Sequence, residues 1–156
     1  MTKLKKEDLV KRLKVYTVGH STRTLKELIK ILAQYKVKVV IDVRRFPKSR
    51  KFPYFNKENI QEKLVEHGIE YVHLPELGGF REGGYKSFTQ TDEFKNGLKK
   101  LLTLISDNTA VIMCTEKFFW RCHRKFIADE LVKLGYKVIH ILNSKTYEHK
   151  LKSLTE

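Results

Sequence analysis

Short apolar runs alternate along the chain with longer segments in which apolar residues recur every three or four positions. This is the pattern of an α/β domain built on a mostly parallel sheet. Five runs predict strands, at residues 15–18, 37–43, 69–74, 110–114 and 136–142. Their continuous apolar character suits strands covered on both faces. Between them, residues 24–35 place Leu25, Leu28, Ile29 and Leu32 on one helical stripe, and residues 56–67 do the same with Ile60, Leu64 and Val65. Residues 91–105 carry Phe94, Leu98, Leu101, Leu102 and Ile105 behind Thr91 as N-cap, and a last helix from about 120 to 134 stops at Gly135. The order βαβαβαβαβ describes one Rossmann-like domain at 14–143, with helices on both faces of about five strands. A basic extension (1–13) precedes it and a polar tail (144–156) follows.

Composition narrows the classes. The 156 residues are 41% hydrophobic and 32% charged, which suits one globular domain and excludes fibrous and disordered chains. No apolar run reaches the roughly 18 residues of a membrane span, and the charged N-terminus has no apolar signal core, so a soluble, cytosolic protein is expected. Two cysteines are too few for a secreted disulfide scaffold. Few Asn and Gln beside many Lys, Glu and Ile resemble the composition of heat-adapted proteins. The net charge of +14 makes a polyanion, DNA or RNA, the first partner to test.

In open parallel sheets ligands bind beyond the carboxyl ends of the strands, and there this sequence collects reactive groups. Gly19-His20-Ser21 follows the first strand; it lacks the glycines of a dinucleotide fingerprint and the lysine of a P-loop. His20 reads as a general acid or base, or, with Ser21, as a cap of the next helix. Asp42 interrupts an apolar strand just before Arg44 and Arg45, either as a general base or in a structural pair with arginine. Residues 44–57 hold six basic residues and no acid, interleaved with four aromatics. Arg44, Arg45, Lys48, Arg50, Lys51 and Tyr54 are therefore candidates for phosphate and base contacts, against the alternative of a solvated loop anchored by its aromatics. Gly78 and Gly79 open a glycine-rich connection that reads as a lid or as a plain turn.

The densest cluster is Cys114-Thr115-Glu116 followed by Cys122-His123-Arg124. A helix already running at Trp120 turns His123 and Arg124 inward and Cys122 away, whereas one that begins later puts Cys122 at its positive N-terminus. Cys114, at the end of a buried strand, reads as a core residue or a nucleophile. The two cysteines bridge only if their α-carbons lie within about 7 Å. Their spacing matches no standard zinc motif, and no metal or cofactor is implied.

Taken together, Thr17-Val18-Gly19-His20-Ser21, Asp42-Val43-Arg44, Pro47 with Ser49, Leu74 through Gly79, and Cys114-x-Glu116 ahead of Cys122-His123-Arg124 resemble the domain-of-unknown-function family 488 over about residues 16–142. The resemblance implies a Rossmann-like sheet with these motifs near one end, and it brings no reaction with it. On the residues themselves the leading expectation is a hydrolytic enzyme of nucleic acid, of base-excision or related type. Asp42 or Glu116 positions water, His20 and His123 move protons, and Arg44 and Arg124 hold phosphate. Two alternatives stand beside it: a cysteine-dependent enzyme of small-molecule or sulfur chemistry, and a non-catalytic nucleic-acid-binding module.

Overall fold

The computed structural model describes residues 13–106 and 108–151. Six strands, β1 (Lys14–Gly19), β2 (Val39–Asp42), β3 (Glu70–His73), β4 (Ala110–Cys114), β5 (Lys137–Ile141) and β6 (Thr146–Glu148), form one sheet in the order β3-β2-β4-β1-β5-β6. The first five are parallel, and β6 runs antiparallel to β5 at the edge.

Among the described residues five helices pack on this sheet: α1 (Leu25–Gln34), α2 (Lys57–Glu66), the single turn α3 (Tyr85–Phe88), α4 (Asp92–Ile105) and α5 (Arg124–Lys133), an α/β fold. The apolar strands separate two cores. Val18, Val40 and Met113 pack with Leu28 and Leu32 of α1 and Ile60 and Leu64 of α2. Val39, Ile41 and Ile112 pack with Leu101 and Ile105 of α4 and Ile127 and Leu131 of α5. Neighbouring positions of one strand thus serve opposite faces, and each fully buried aliphatic side chain contributes about 1.5–3 kcal/mol. Thr24 and Thr91 cap α1 and α4 by accepting the N–H groups of Glu27 and Phe94.

Two predicted segments fold otherwise. The helix expected from about 120 is broken: a 3₁₀ turn covers Phe119–Arg121, Cys122 is extended at φ −132°, ψ 155°, and α5 begins only at Arg124. Trp120 consequently points out, 48% exposed, instead of continuing the inward stripe. In the polar tail, residues 146–148 add the antiparallel edge strand and His149 is buried; the predicted extension at 1–13 lies outside the described residues but for Leu13. No helix among the described residues is long and apolar enough to cross a membrane.

This strand order places the carboxyl ends of β2, β4 and β1 side by side, with Gly19 opposite Cys114 and Asp42 opposite Met113 and His73. Gly19 is required by close approach. A Cβ there would stand 1.8 Å from the carbonyl oxygen of Glu116, so only glycine lets the loop after β4 close over the end of β1.

Candidate active site

At the end of β2, Asp42 has no solvent exposure and is saturated with donors. Arg44 Nε and Nη2 reach its carboxylate at 2.9 and 2.7 Å, the Arg44 backbone N–H donates at 3.0 Å, and the Tyr71 hydroxyl donates from β3. Burial alone would lower the Arg44 pKa, but the Asp42 bonds outweigh it and raise it. Burial, reinforced by the Asp42 charge, raises that of Tyr71. His20 lies behind this pair, stacked on Phe55 with ring centroids 4.2 Å apart. Its Nδ1–H donates to the Ser21 carbonyl, leaving Nε2 to accept from Arg44 Nη1 at 3.3 Å. Burial, then the Arg44 charge, pushes the His20 pKa down to about 4.

The second half of the site comes from β4 and the turn before α5. Because the chain is extended at Cys122, its side chain turns inward and its sulfur lies 2.7 Å from that of Cys114. The Arg124 backbone N–H points at the Cys122 sulfur from 3.5 Å, and His123 Nδ1 lies 3.5 Å away. His123 Nε2–H donates to the Val43 carbonyl at 2.8 Å. That bond fixes the tautomer, so Nδ1 carries the lone pair in the neutral ring and faces the thiol. The Cys114 hydrogen bond, then His123 and Arg124, lower the Cys122 pKa against the opposing effect of burial. Burial and the same sulfur contact raise that of Cys114. One thiol is therefore poised as thiolate and its neighbour as proton donor.

Arg124 is nearly inaccessible and acts as a clamp. Its Nη2 donates to the carbonyls of Glu116 and Lys117 at 2.6 and 3.2 Å, tying the loop after β4 to α5. Its Nη1 donates to Thr17 Oγ1 at 3.0 Å, and the chain continues from Thr17 to His140, from His140 to His149, and from His149 to Asp129 Oδ1 at 2.6 Å. A guanidinium can only donate and a carboxylate only accept, so every proton in this file points one way. Phe119 covers His140 in a nearly parallel stack at 3.7 Å.

A cavity of about 650 Å³ is lined by both cysteines. Its walls include Cys114, Cys122 and His123, and its basic residues Arg44, Arg45, Arg81, Arg121 and Lys125 face one acid, Glu116. Arg44 is neutralised by Asp42 and Arg81 by Glu93, whereas Arg45, Arg121 and Lys125 have no ion-pair partner among the described residues. A Cβ on Gly79 would lie 3.1 Å from His123 Nδ1, and one on Gly78 would meet the Arg45 backbone at 2.5 Å; both glycines let their loop press against the site. Tyr85, held by its hydroxyl on the Leu77 carbonyl, packs its ring beside His123.

A family model described as Domain of unknown function DUF488 matches residues 24–131, more than two thirds of the chain. The chain belongs to this family. No curated protein and no solved structure matches it. The DUF488 match is narrower at both ends than the span of 16–142 that the motifs suggest, and it contains Asp42, Arg44, Cys114, Glu116, Cys122, His123 and Arg124.

In this DUF488 chain the predicted residues divide into three groups. Cys114, Glu116, His123, Arg44, Arg45 and Gly79 line the cavity, with Gly78 directly behind. His20, Asp42 and Arg124 are buried and outside its walls; the polar atoms of His20 and Asp42 and both terminal nitrogens of Arg124 are spent on protein partners, while Arg124 Nε has none among the described residues. Lys48, Arg50 and Lys51 are exposed away from it, Ser21 is half-buried at φ 47°, and Tyr54 packs against the core with Phe52 and Phe55. These three aromatics anchor their loop, while Phe46, 68% exposed, reaches the cavity. Cys122, weighed only as an alternative in the sequence, lies at the centre; its signal was the uncertain start of the last helix. Among the described residues no group of three or more His, Cys, Asp or Glu is placed to hold a metal ion.

Proposed function

We propose that the protein is a cysteine-dependent enzyme in which Cys122 is the nucleophile and a small anionic molecule the substrate. One observation carries this reading: Cys122 forms part of the cavity wall while its sulfur is held by a second thiol, an imidazole and a helix N-terminus. Arg45, Arg121 and Lys125 supply the attraction for an anion, and His123 takes up or returns the thiol proton. Arg124, fixed through Thr17, His140, His149 and Asp129, is a positioning residue that keeps Cys122 and the loop after β4 in register.

Alkylation tests the reading without knowledge of the natural substrate. Cys122 is expected to react with iodoacetate at pH 6, where an ordinary thiol of pKa about 8.5 is almost inert, and to prefer iodoacetate to neutral iodoacetamide. Ordinary thiols favour the neutral reagent or show little preference. The Cys122→Ser variant is expected to stay unlabelled under these conditions. Labelling of the wild-type protein that appears only as pH rises past 8, with no preference for the anionic reagent, would overturn the proposal.

A second reading draws on the charge of +14 and the exposed Lys48, Arg50 and Lys51, namely binding to DNA or RNA with hydrolysis of a bond in the bound strand. The acid–base groups it assigned to His20 and Asp42 lie behind Arg44 and Phe55, so Glu116 and His123 would have to serve it alone. Fluorescence anisotropy with a single-stranded oligonucleotide measures its first requirement. Affinity that falls steeply with added salt supports it, and no binding at low salt removes it.

A further inference from the structure

We infer that Cys114 resolves the adduct formed on Cys122, so that the substrate is a small anionic disulfide reduced through an internal Cys114–Cys122 disulfide. This deepens the proposed function and rests on Cys122 being the nucleophile. The two sulfurs come from different elements, the end of β4 and the turn before α5, yet stand 2.7 Å apart with both residues in the cavity wall. Activation alone does not call for a second sulfur at that distance, because the backbone N–H of Arg124 and the imidazole of His123 already stabilise a thiolate. A second thiol adds something those groups lack, a nucleophile already in contact with the Cys122 sulfur when a substrate sulfur becomes bonded to it.

Atoms and electrons balance in two exchanges. Cys122 thiolate attacks one sulfur of the substrate disulfide; the new Cys122–substrate bond forms as the substrate S–S bond breaks, and the first half leaves as thiolate. Cys114 then attacks the Cys122 sulfur. The Cys114–Cys122 bond forms, the second half leaves and takes the Cys114 proton, and the two protein sulfurs have been oxidised while the substrate has been reduced. An external dithiol returns the protein to its starting state by the same exchanges reversed. The anionic character follows from Arg45, Arg121 and Lys125, which carry no acidic partner among the described residues and line the same cavity as the two cysteines.

The experiment uses the reduced full chain with oxidised glutathione, an anionic disulfide, and with cystamine, a cationic one, followed by peptide mass mapping. Wild-type protein is expected to yield a peptide pair linked through Cys114 and Cys122 with no glutathione retained. Cys114→Ser is expected to keep one glutathione on Cys122. Cystamine should react ~10-fold more slowly, with the difference shrinking in high salt. Glutathione retained on Cys122 of the wild-type protein would overturn the role of Cys114 while leaving Cys122 reactive. The absence of both a linked peptide pair in the wild-type protein and an adduct on Cys114→Ser would overturn the nucleophile reading beneath it, and equal rates for the two disulfides would overturn the anionic assignment. The linked peptide is read on the wild-type chain, so the outcome does not depend on the variant folding.

Discussion

Asp42→Asn is expected to lower the unfolding free energy by about 3–5 kcal/mol, because it leaves a buried arginine without its counter-charge. Asp42 is fully inaccessible and Arg44 nearly so, and the pair is joined through three guanidinium contacts of 2.7–3.1 Å. Asparagine keeps an acceptor for the Arg44 backbone N–H but carries no charge, and its amide group would point a donor at a guanidinium that can only donate. The other side-chain contact of the cationic head is the neutral His20 ring, an acceptor that cannot replace the lost counter-charge. In a domain of this size the loss corresponds to a fall in Tm of roughly 10 °C. Guanidinium chloride unfolding measures it. The companion experiment replaces the whole group by apolar residues, Asp42→Leu with Arg44→Met and Tyr71→Phe, which should recover most of the loss, because no buried charge then stands alone. A single Asp42→Asn variant within about 1 kcal/mol of wild type would show that the carboxylate is not the anchor of this strand end and would return it to the candidates for catalysis.

What could be read from the sequence here, and what could not, follows from how local each interaction is. Asp42 and Arg44 are two positions apart at a strand end, where alternate side chains share a side, so a structural pair was legible beside the catalytic alternative. Tyr71 was not. It reaches Asp42 because β3 lies next to β2, a pairing that no pattern within either strand encodes. The line from Arg124 through Thr17, His140 and His149 to Asp129 draws on β1, β5, α5 and a tail that reads as merely polar; it exists only once β6 folds back on β5. The aromatics after Arg44 show the limit of composition. Stacking platforms and loop anchors use the same residue types, and the structure uses Phe55 to cover His20 and leaves Phe46 exposed. For Cys122, periodicity continued the helix backwards past the point where the chain leaves it, because a helical stripe carries no mark of an extended residue that caps the first turn with its own sulfur.

Acidification is expected to destabilise the protein well above the pH at which ordinary carboxylates titrate. His20 and His140 are both buried and both bind a proton less readily folded than unfolded; burial lowers their pKa values from 6.5 to about 4 and about 3. The sign follows from linkage. Between the two values the unfolded chain is protonated and the folded one is not, so stability is full above pH 6.5 and declines as pH falls through 6 and 5 towards 4. For His20 the loss amounts to about 3 kcal/mol, and for His140 somewhat more. The physical cost is visible in the partners. A proton on His20 Nε2 would sit against Arg44 Nη1, and one on His140 Nδ1 would turn a donor towards Thr17 and add charge beside His149 and Arg124. Unfolding by denaturant at a series of pH values reads the slope, and His20→Gln isolates one contribution, because glutamine offers an acceptor to Arg44 but does not titrate. The wild-type slope between pH 6.5 and 4.5 should exceed that of the variant. Equal slopes would mean that His20 is protonated in the folded state as readily as in the unfolded one, and the closed packing of Arg44, His20 and Phe55 would then not describe the protein in solution.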